Sequence, residues 1–292
     1  MTTSEPVPLT VIILTYNEEI HIERAVQNVI DWAQDVFVLD SYSNDGTCQK
    51  AEKLGAQVFY RRFDNYAAQR NYAIQSLPIR TELAFFLDAD EYLSEPLKDE
   101  IKDILKQMPE GIEGFHVKRR FIFMGKWIKG GGYYPTWILR LFKRETAKLS
   151  REINEHVEVE GKVGHLKHDF IHDDLKGFSI WLDKHNRYAT LEAAELARAK
   201  QQISDPFAKF WGTQAQRKRW IRANIWNRLL PPLIRPFLYF LYRYVLRLGF
   251  LDGRAGFIFH FFHGLVYPMM IDIKFIESRA QTRQEEIKSP SL

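Results

Sequence analysis

The sequence predicts an α/β fold with a mostly parallel sheet and flanking helices, followed by a helical C-terminal region. Short apolar runs alternate with helical patterns over roughly the first hundred residues, and such alternation implies parallel strands joined by right-handed crossovers. After residue 205 the pattern changes to basic residues interleaved with large apolar ones. We therefore predict two domains, residues 1–205 and residues 206–292.

The charge of the chain is unevenly distributed. The 292 residues carry a net charge of +4, but residues 206–254 contain ten Lys or Arg and one acidic residue, Asp252. That segment has a charge of +9 and leaves −5 for the remainder, so one part of the molecule should bind an anionic surface. Cys48 is the only cysteine, which excludes an intrachain disulfide and a cysteine metal cluster. The polar N-terminus does not resemble a secretory signal, and we expect a cytosolic protein.

Four candidate strands lie in the first half of the chain, each a short apolar run. They are residues 9–16, 36–40, 57–61 and 84–87. Helical patterns follow them, with Asn17 as a candidate cap for the first helix and Ser94 opening the fourth, where Pro96 suits the first turn. Further strands are predicted at residues 115–128 and 136–143, joined by a glycine-rich stretch, and a long helix at residues 177–202.

Acidic and polar side chains follow three of these strands. Tyr16, Asn17 and Glu18 follow the first, Asp40 ends the second, and the Asp-x-Asp pair follows the fourth. Ligands of open α/β sheets bind at the carboxyl ends of the strands. Carboxylates crowded there repel one another unless a cation lies between them, and Mg²⁺ or Mn²⁺ prefers oxygen ligands shared with substrate phosphates. The pattern therefore indicates a metal–diphosphate site, with a solvated turn as the alternative.

Two common nucleotide-binding motifs are absent from the sequence. Neither G-x-G-x-x-G nor G-x-x-x-x-G-K-[ST] occurs, which argues against a dehydrogenase and a P-loop NTPase. The phosphates of a bound nucleotide would be held by a metal ion and by Arg or Lys side chains.

Several segments together resemble family 2 inverting glycosyltransferases with a GT-A fold. They are VIILTYNEE, VFVLDSYSNDGT, AQRNYAI and FFLDADE. The later segments WILRLFKR, NEHVEVEG and IHDD, with Lys184, Arg187 and Tyr188, are similar to the bacterial branch that builds lipopolysaccharide core and related cell-surface glycans. The resemblance implies transfer of a hexose, such as glucose, from a nucleotide sugar, most simply a UDP-sugar, to a lipid-linked glycan or lipopolysaccharide core. It also implies a Mg²⁺ or Mn²⁺ cofactor.

The resemblance also implies roles for single residues. Arg70 would bind the diphosphate, Asp90 the metal ion, Asp88 the metal ion or the ribose, and His172 would complete the metal shell. The nucleotide base and ribose would be held by Thr15, Tyr16, Asn17, Glu18 and Asp40. Each has a structural alternative: Asp40 as a turn cap, Arg70 as a surface residue and His172 as a hydrogen-bonded histidine.

Glu155 matches the position of the catalytic base in the resembled family, with Asp173 and Asp174 as competitors. An inverting transfer needs a base that deprotonates the acceptor hydroxyl; the alternative is an exposed glutamate in a hairpin. Trp137 and Arg140 would stack on and pair with a sugar, unless Trp137 belongs to the core.

The tail predicts membrane association. The stretch from Ala255 to Ile271 has 17 uncharged residues, at the short limit for a spanning helix. Basic helices rich in aromatic residues favour the membrane interface, so we predict a monotopic anchor on the cytoplasmic side of the bacterial inner membrane. A spanning or re-entrant segment, a soluble helical subdomain and an oligomer interface are the alternatives.

Two other function classes compete with the glycosyltransferase. A sugar nucleotidyltransferase also places carboxylates on an α/β sheet, but it usually opens with a glycine-rich loop where this chain has TYNEE. A non-catalytic module for anionic membranes or nucleic acid would use the +9 segment and leaves the carboxylates unexplained. We therefore expect no nucleic-acid partner.

Overall fold

Nine strands pair into one mixed sheet in the structure, a computed structural model that describes residues 5–148, 157–201 and 230–288. The order across the sheet is β3-β2-β1-β4-β8-β6-β11-β5, with β7 paired to β6, and β9 and β10 form a separate two-stranded sheet. The strands are β1 Val7–Thr15, β2 Ala33–Asp40, β3 Gln57–Tyr60, β4 Leu83–Asp88, β5 Glu91–Leu93, β6 Ile112–Phe123, β7 Lys126–Trp127, β8 Thr136–Lys143, β9 Ala147–Lys148, β10 Glu158–Val159 and β11 Lys162–Asp173.

Eight α-helices lie in the described ranges. They are α1 Ile22–Val29, α2 Thr47–Lys53, α3 Tyr66–Ser76, α4 Glu95–Lys106, α5 Phe178–Gln201, α6 Arg235–Leu241, α7 Gly253–Phe261 and α8 Tyr267–Lys288. Short π-helical segments follow α6 and α7, at Tyr242–Leu246 and Phe262–Val266. Asn65 caps α3, since its side-chain Oδ1 accepts a hydrogen bond from the backbone N of Ala68 at 2.8 Å.

Strands β1, β2 and β4 are buried on both faces. In β1, Val11 and Ile13 pack in one apolar cluster with Val26 of α1, while Ile12 packs in a second cluster with Ile74 of α3. Burial of each such side chain stabilises the fold by about 1.5–3 kcal/mol. The continuous apolar runs in the sequence therefore correspond to strands covered by helices on both sides.

The predicted α/β architecture is confirmed, and the sheet divides into a parallel and a mixed half. Strands β3, β2, β1 and β4 are parallel, whereas β8 is antiparallel to both of its neighbours and β5 is antiparallel to β11. The predicted strand at residues 115–128 is interrupted by a turn at Met124 and Gly125, which both have positive φ. The chain reverses there and β7 pairs back onto β6.

Asn17 does not cap α1, so that prediction was wrong. Its φ is +54°, and its side-chain Oδ1 accepts a hydrogen bond from the backbone N of Asn44 at 3.0 Å. The helix begins only at Ile22. The left-handed conformation, which asparagine tolerates well, turns the chain toward the segment that follows β2.

The chain divides into two compact units. The first comprises Met1–Lys129 with Tyr133–Leu175, and the second comprises Gly130–Gly132 with Lys176–Leu292. The first unit contains the sheet and the second contains α5 to α8. The boundary predicted after residue 205 lies outside the described residues and stays a prediction.

Backbone groups of the glycine-rich stretch are bound within the second unit. The backbone N of Gly130 donates to Oδ2 of Asp252 at 2.7 Å, and Nε of Arg243 donates to the carbonyl of Gly131 at 3.1 Å. Gly131 has a φ of +65°, and a Cβ at that position would lie 2.1 Å from the ring of His260. Only glycine fits there, so the stretch is a packed element of the second unit.

A buried ion pair joins α6 to α8. Nε of Arg235 donates to both carboxylate oxygens of Asp272, at 2.9 and 3.0 Å, and the backbone N of Leu233 donates to Oδ2 at 2.9 Å. Both charged side chains are almost fully buried. Breaking such a pair from one side leaves an unbalanced buried charge.

Asp272→Asn should therefore lower the free energy of unfolding of the second unit by about 3 kcal/mol. Urea unfolding followed by circular dichroism measures the change. Glu277→Gln, on the exposed side of the same helix, is the matched control and should change the value by less than about 0.5 kcal/mol. Equal effects of the two substitutions would contradict the role of the buried pair.

Candidate active site

The turns that follow β1 and β2 are bound to each other at the carboxyl edge of the sheet. The backbone N of Asn17 donates to Oγ of Ser43, and the backbone N of Glu18 donates to Oγ1 of Thr47, both at 2.8 Å. The two segments that are predicted to hold the nucleotide, one after β1 and one after β2, are thus brought together. Tyr16 is 58% exposed at this edge, where a ligand can reach its ring.

Asp40 lies beneath these turns and is fully buried. Its Oδ2 accepts hydrogen bonds from Oγ1 of Thr15 at 2.8 Å and Oγ of Ser43 at 2.5 Å, and its Oδ1 accepts from the backbone N of Ser43 at 2.7 Å. The turn-capping role of Asp40 is therefore present in the structure. Its contact with a nucleotide base stays a prediction.

His21 connects Glu18 to the end of β11. The backbone N of Leu175 donates to Nε2 of the fully buried His21 at 2.7 Å, so Nε2 is an acceptor there. Nδ1 then carries the proton and donates to Oε2 of Glu18 at 2.7 Å. The carboxylate of Glu18 is thereby held in one orientation at the edge of the sheet.

Arg140 binds two carboxylates at the end of β4. The pairing of β8 with β6 shifts at this residue, which has no partner in the register, and such irregularities re-aim side chains. Nη2 of Arg140 lies 2.9 Å from Oδ2 of Asp88 and 2.7 Å from Oε1 of Glu91. Arg140 is 4% exposed and bound to these two carboxylates. Its pairing with a sugar stays a prediction.

Asp88 is held ionised by two arginines. Nη2 of Arg70 lies 3.0 Å from Oδ1 of Asp88, on the side opposite Arg140. Burial by itself would raise the pKa of Asp88, but the charges of Arg140 and Arg70 hold it well below its usual range. Burial raises the pKa of Glu91, against the opposing charge of Arg140. The pKa values of the two carboxyls are therefore shifted in opposite directions, down for Asp88 and up for Glu91.

A candidate metal centre is formed by Asp90, Glu91 and His172. One ligand atom from each lies within 4.8 Å of the others, and Glu91 and His172 are direct partners across β5 and β11. Burial and the charge of Arg119 lower the pKa of His172, but the charges of Asp90 and Glu91 outweigh them and raise it. Two carboxylates with one imidazole are a donor set that suits Mn²⁺, so these residues fit the implied ion.

The second carboxylate of this group is that of Glu91, whereas the sequence predicted Asp88 as a metal ligand beside Asp90. The carboxylate of Asp88 faces Arg70 and Arg140, so its role as a metal ligand stays a prediction. The sequence contained the signal for Glu91, since the residue follows Asp90 directly, but only the pairing of β5 with β11 brings it to His172.

The competitors for the base already have partners. Oδ2 of Asp173 lies 2.9 Å from Nη1 of Arg24, and its backbone N donates to the carbonyl of Asp90 at 2.9 Å. Oδ1 of Asp174 lies 3.5 Å from Nε2 of His21. Glu155 lies outside the described residues, so its role stays a prediction.

Trp137 belongs to a different group of side chains. Its ring contacts His165, with the centroids 4.8 Å apart, and Nζ of Lys118 lies 5.7 Å from its ring centroid. These contacts do not include the carboxylates at the end of β4. Its contact with a sugar stays a prediction.

The family of this chain follows from its similarity to known proteins. The model of glycosyl transferase family 2 matches residues 10–163, more than half of the chain. This chain is a family 2 glycosyltransferase. The matched segment begins within β1 and includes β2 to β4, the turns that follow β1 and β2, and Asp88, Asp90 and Glu91, but not His172.

Relatives and a solved structure agree with this membership. The family 2 glycosyltransferase described here is 26% identical over 209 residues to an uncharacterised glycosyltransferase of Rickettsia typhi, covering 68% of this chain and 70% of the relative. A relative from Rickettsia bellii is 38% identical over 96 residues, about a third of each chain. A mannosyltransferase of Pyrobaculum calidifontis, solved with GDP-Man and Mn²⁺, matches 94% of this chain and 88% of its own with a TM-score of 0.52 and 14% identity.

The structural match shows the fold, which is of the GT-A type predicted from the sequence. As a member of this family, the glycosyltransferase uses a nucleotide-sugar donor. The bacterial lipopolysaccharide branch, the sugar and the acceptor remain predictions at this point.

The candidate metal centre of this glycosyltransferase can be tested by direct binding. Asp90→Asn should weaken Mn²⁺ binding at least about tenfold, because even outer-shell partners of metal ligands contribute about 10- to 100-fold to affinity. Electron paramagnetic resonance of free Mn²⁺ gives the dissociation constant. Asp99→Asn, an exposed residue of α4, should leave it unchanged. Unaltered Mn²⁺ binding in the Asp90 variant would exclude this centre.

Proposed function

We propose that the protein is a metal-dependent inverting glycosyltransferase that transfers a hexose, glucose by resemblance, to a membrane-linked glycan. The acceptor would belong to cell-envelope polysaccharide or lipopolysaccharide synthesis. The observation that carries the proposal is the group of Asp90, Glu91 and His172 at the carboxyl edge of the sheet. It lies on the same edge as the joined turns that follow β1 and β2, where open α/β sheets bind their ligands.

A UDP-sugar is the donor we propose, because the chain resembles family members that use one. The Pyrobaculum mannosyltransferase was solved with a different nucleotide, GDP-Man, and with Mn²⁺. Both donors share a diphosphate, and Arg70 lies at the edge where that group would bind.

The proposed division of roles follows from the contacts of each side chain. When bound, a divalent cation would stabilise negative charge on the leaving diphosphate. Asp90, Glu91 and His172 would hold the ion. Arg70 and Arg140 keep Asp88 ionised and in place, and Glu155 would accept the proton of the acceptor hydroxyl. Asp173 is less suited to that role, because its carboxylate is already paired with Arg24.

The second unit supports association with a membrane. One described stretch, Gly249–Gln281, is long and apolar enough to cross a bilayer by length and composition, and core helices of soluble proteins can pass the same test. Many large apolar side chains of this unit are exposed, among them Leu246 at 74% and Leu251 at 66%. Exposed apolar groups together with the +9 segment suit a monotopic anchor on the cytoplasmic leaflet. Pairing of two copies through these helices remains an alternative use of the surface.

The proposal is tested by incubating the full-length protein with Mn²⁺ and a panel of UDP- and GDP-sugars. Release of nucleoside diphosphate, with and without a membrane glycolipid extract, identifies the donor. Asp90→Asn should reduce release by about a hundredfold or more, because a metal ion contributes several kcal/mol of charge stabilisation. No release from any nucleotide sugar would contradict the proposal.

Glu155→Gln should preserve donor binding while turnover drops by about two to four orders of magnitude, because the amide cannot accept the proton. Donor affinity from calorimetry and turnover from diphosphate release separate the two effects. Asp173→Asn serves as the comparison and should retain more activity. A Glu155 variant with near wild-type turnover would transfer the role to one of the competitors.

Leu246→Gln combined with Leu251→Gln should reduce binding to phosphatidylglycerol-containing liposomes, because each fully buried leucine contributes about 1.5–3 kcal/mol. Cosedimentation at low and high salt measures the apolar and the electrostatic parts. Leu175→Gln, an exposed leucine of the first unit, is the matched control. A wild-type protein that ignores liposomes at both salt concentrations would refute the anchor.

A further inference from the structure

Arg119 occupies an unusual position on β6. Successive side chains of a strand point to opposite faces of the sheet. Phe115, Val117 and Phe121 share a face of β6 with Arg119, and all three are buried. Arg119 stands between the last two of them, where the pattern calls for an apolar residue. A charged residue at an inward-facing position needs a partner that balances its charge.

The contacts of Arg119 within the described ranges are with aromatic rings. Its guanidinium carbon lies 5.3 Å from the ring centroid of Tyr133 and 5.8 Å from that of Phe121. Its Nε is buried and has no hydrogen-bond partner, and among the described residues no carboxylate pairs with it. Stacking satisfies the flat faces of a guanidinium but uses none of its five N–H donors.

The neighbouring basic residues differ from Arg119 in this respect. Nε of Arg120 lies 3.1 Å from Oδ2 of Asp169, and Nζ of Lys118 lies 3.7 Å from Oδ1 of the same carboxylate. These two side chains belong to the opposite face of β6. Arg119 is therefore the cation of this strand that lacks a protein carboxylate in the described structure.

Arg119 lies beside the candidate metal centre. Phe121, on which it stacks, is the register partner of His172 across β6 and β11, with ring centroids 5.3 Å apart. Glu91, His172 and Phe121 thus form one row across three neighbouring strands.

The strand order places Arg119 on the side away from the predicted nucleotide site. The turns that would hold the nucleotide follow β1 and β2, while β6 is separated from β4 by β8 on the other side of the sheet. In an inverting displacement the acceptor approaches from the face opposite the leaving diphosphate. Arg119 lies beside the metal centre and on the side of β4 away from those turns, so we place it toward the acceptor.

We propose that Arg119 forms a subsite for an anionic group, a phosphate or a carboxylate, carried by the acceptor glycan next to the hydroxyl that is glycosylated. The planar guanidinium, held between two rings, would bind such a group with two parallel hydrogen bonds. The inference rests on the proposed glycosyltransferase function and adds that the acceptor is charged. Neutral acceptors of the same shape would bind less tightly.

The test uses glycerol 3-phosphate as the probe and glycerol, which contains no phosphorus, as a neutral competitor that should not displace the probe. Full-length protein is saturated with Mg²⁺ and UDP, so that the diphosphate site is filled, and the probe is titrated with ³¹P line broadening as the readout. We expect wild-type protein to bind glycerol 3-phosphate in the presence of UDP and Arg119→Gln to weaken that binding about tenfold or more, with UDP affinity changed by less than about twofold. Each tenfold change corresponds to about 1.4 kcal/mol.

Arg120→Gln is the matched control, because this arginine is adjacent and already paired with Asp169; it should leave probe affinity within about twofold. Arg119→Lys keeps the charge but not the planar fork and should give an intermediate loss. Should Arg119→Gln fold poorly, two measurements replace it. They are the probe affinity of Arg119→Lys and the binding of the probe to wild-type protein in the presence of UDP.

Three results would overturn the subsite. They are absence of probe binding to wild-type protein with UDP bound, displacement of the probe by UDP, and equal probe affinity in wild type and Arg119→Gln. Loss of UDP affinity in Arg119→Gln would instead assign the residue to the donor. If neither UDP nor GDP binds the wild-type protein with Mg²⁺ or Mn²⁺, the proposed function fails and the subsite fails with it.

Discussion

The buried contact of Arg140 with Asp88 and Glu91 is the interaction on which the rest of the site depends. Arg140 comes from β8, Asp88 from the end of β4 and Glu91 from β5, so one guanidinium holds three strands in register at the sheet edge. The carboxylates raise its pKa further despite burial, and it stays charged under all relevant conditions. Removing one partner of such a network typically costs about 3–5 kcal/mol. The position of Asp90, between the two bound carboxylates, is fixed by the same contact.

The pairing of Asp88 with arginines explains how several carboxylates can lie close together at the end of β4 without each of them binding a metal ion. Two arginines neutralise Asp88, which leaves Asp90, Glu91 and His172 as the group of the cluster that a cation can bind. The sequence-level prediction placed Asp90 on the ion and Asp88 on the ion or the ribose. In the structure Asp88 is held by Arg70 and Arg140, while Asp90 lies in the candidate metal centre with Glu91 and His172.

The parallel half of the fold was predictable from local pattern, because strands that are buried on both faces are continuous apolar runs and their carboxyl ends coincide. The antiparallel half was less so. Arg140 is aimed by a shift in register that no alternation of residues reveals, and Glu91 meets His172 only through pairing across about eighty residues of chain. Arg119 lies in the predicted strand at residues 115–128, where the run KRRF does not show its orientation, and only the burial of Val117 and Phe121 places it on their face. Asn17 was misplaced because its backbone is left-handed and its side chain is bonded to Asn44, 27 positions later, which no local pattern reveals.

The three glycines at residues 130–132 limit how this protein can be truncated. They lie between β7 and β8 in sequence, yet their backbone groups are bound by Arg243 and Asp252 more than a hundred positions later. A shortened protein that ends before the tail would retain these glycines and lose both partners, leaving polar backbone groups without the hydrogen bonds they have in the whole chain. The tail is thus not a detachable module, and exchanging it between related enzymes requires the glycine loop to travel with it.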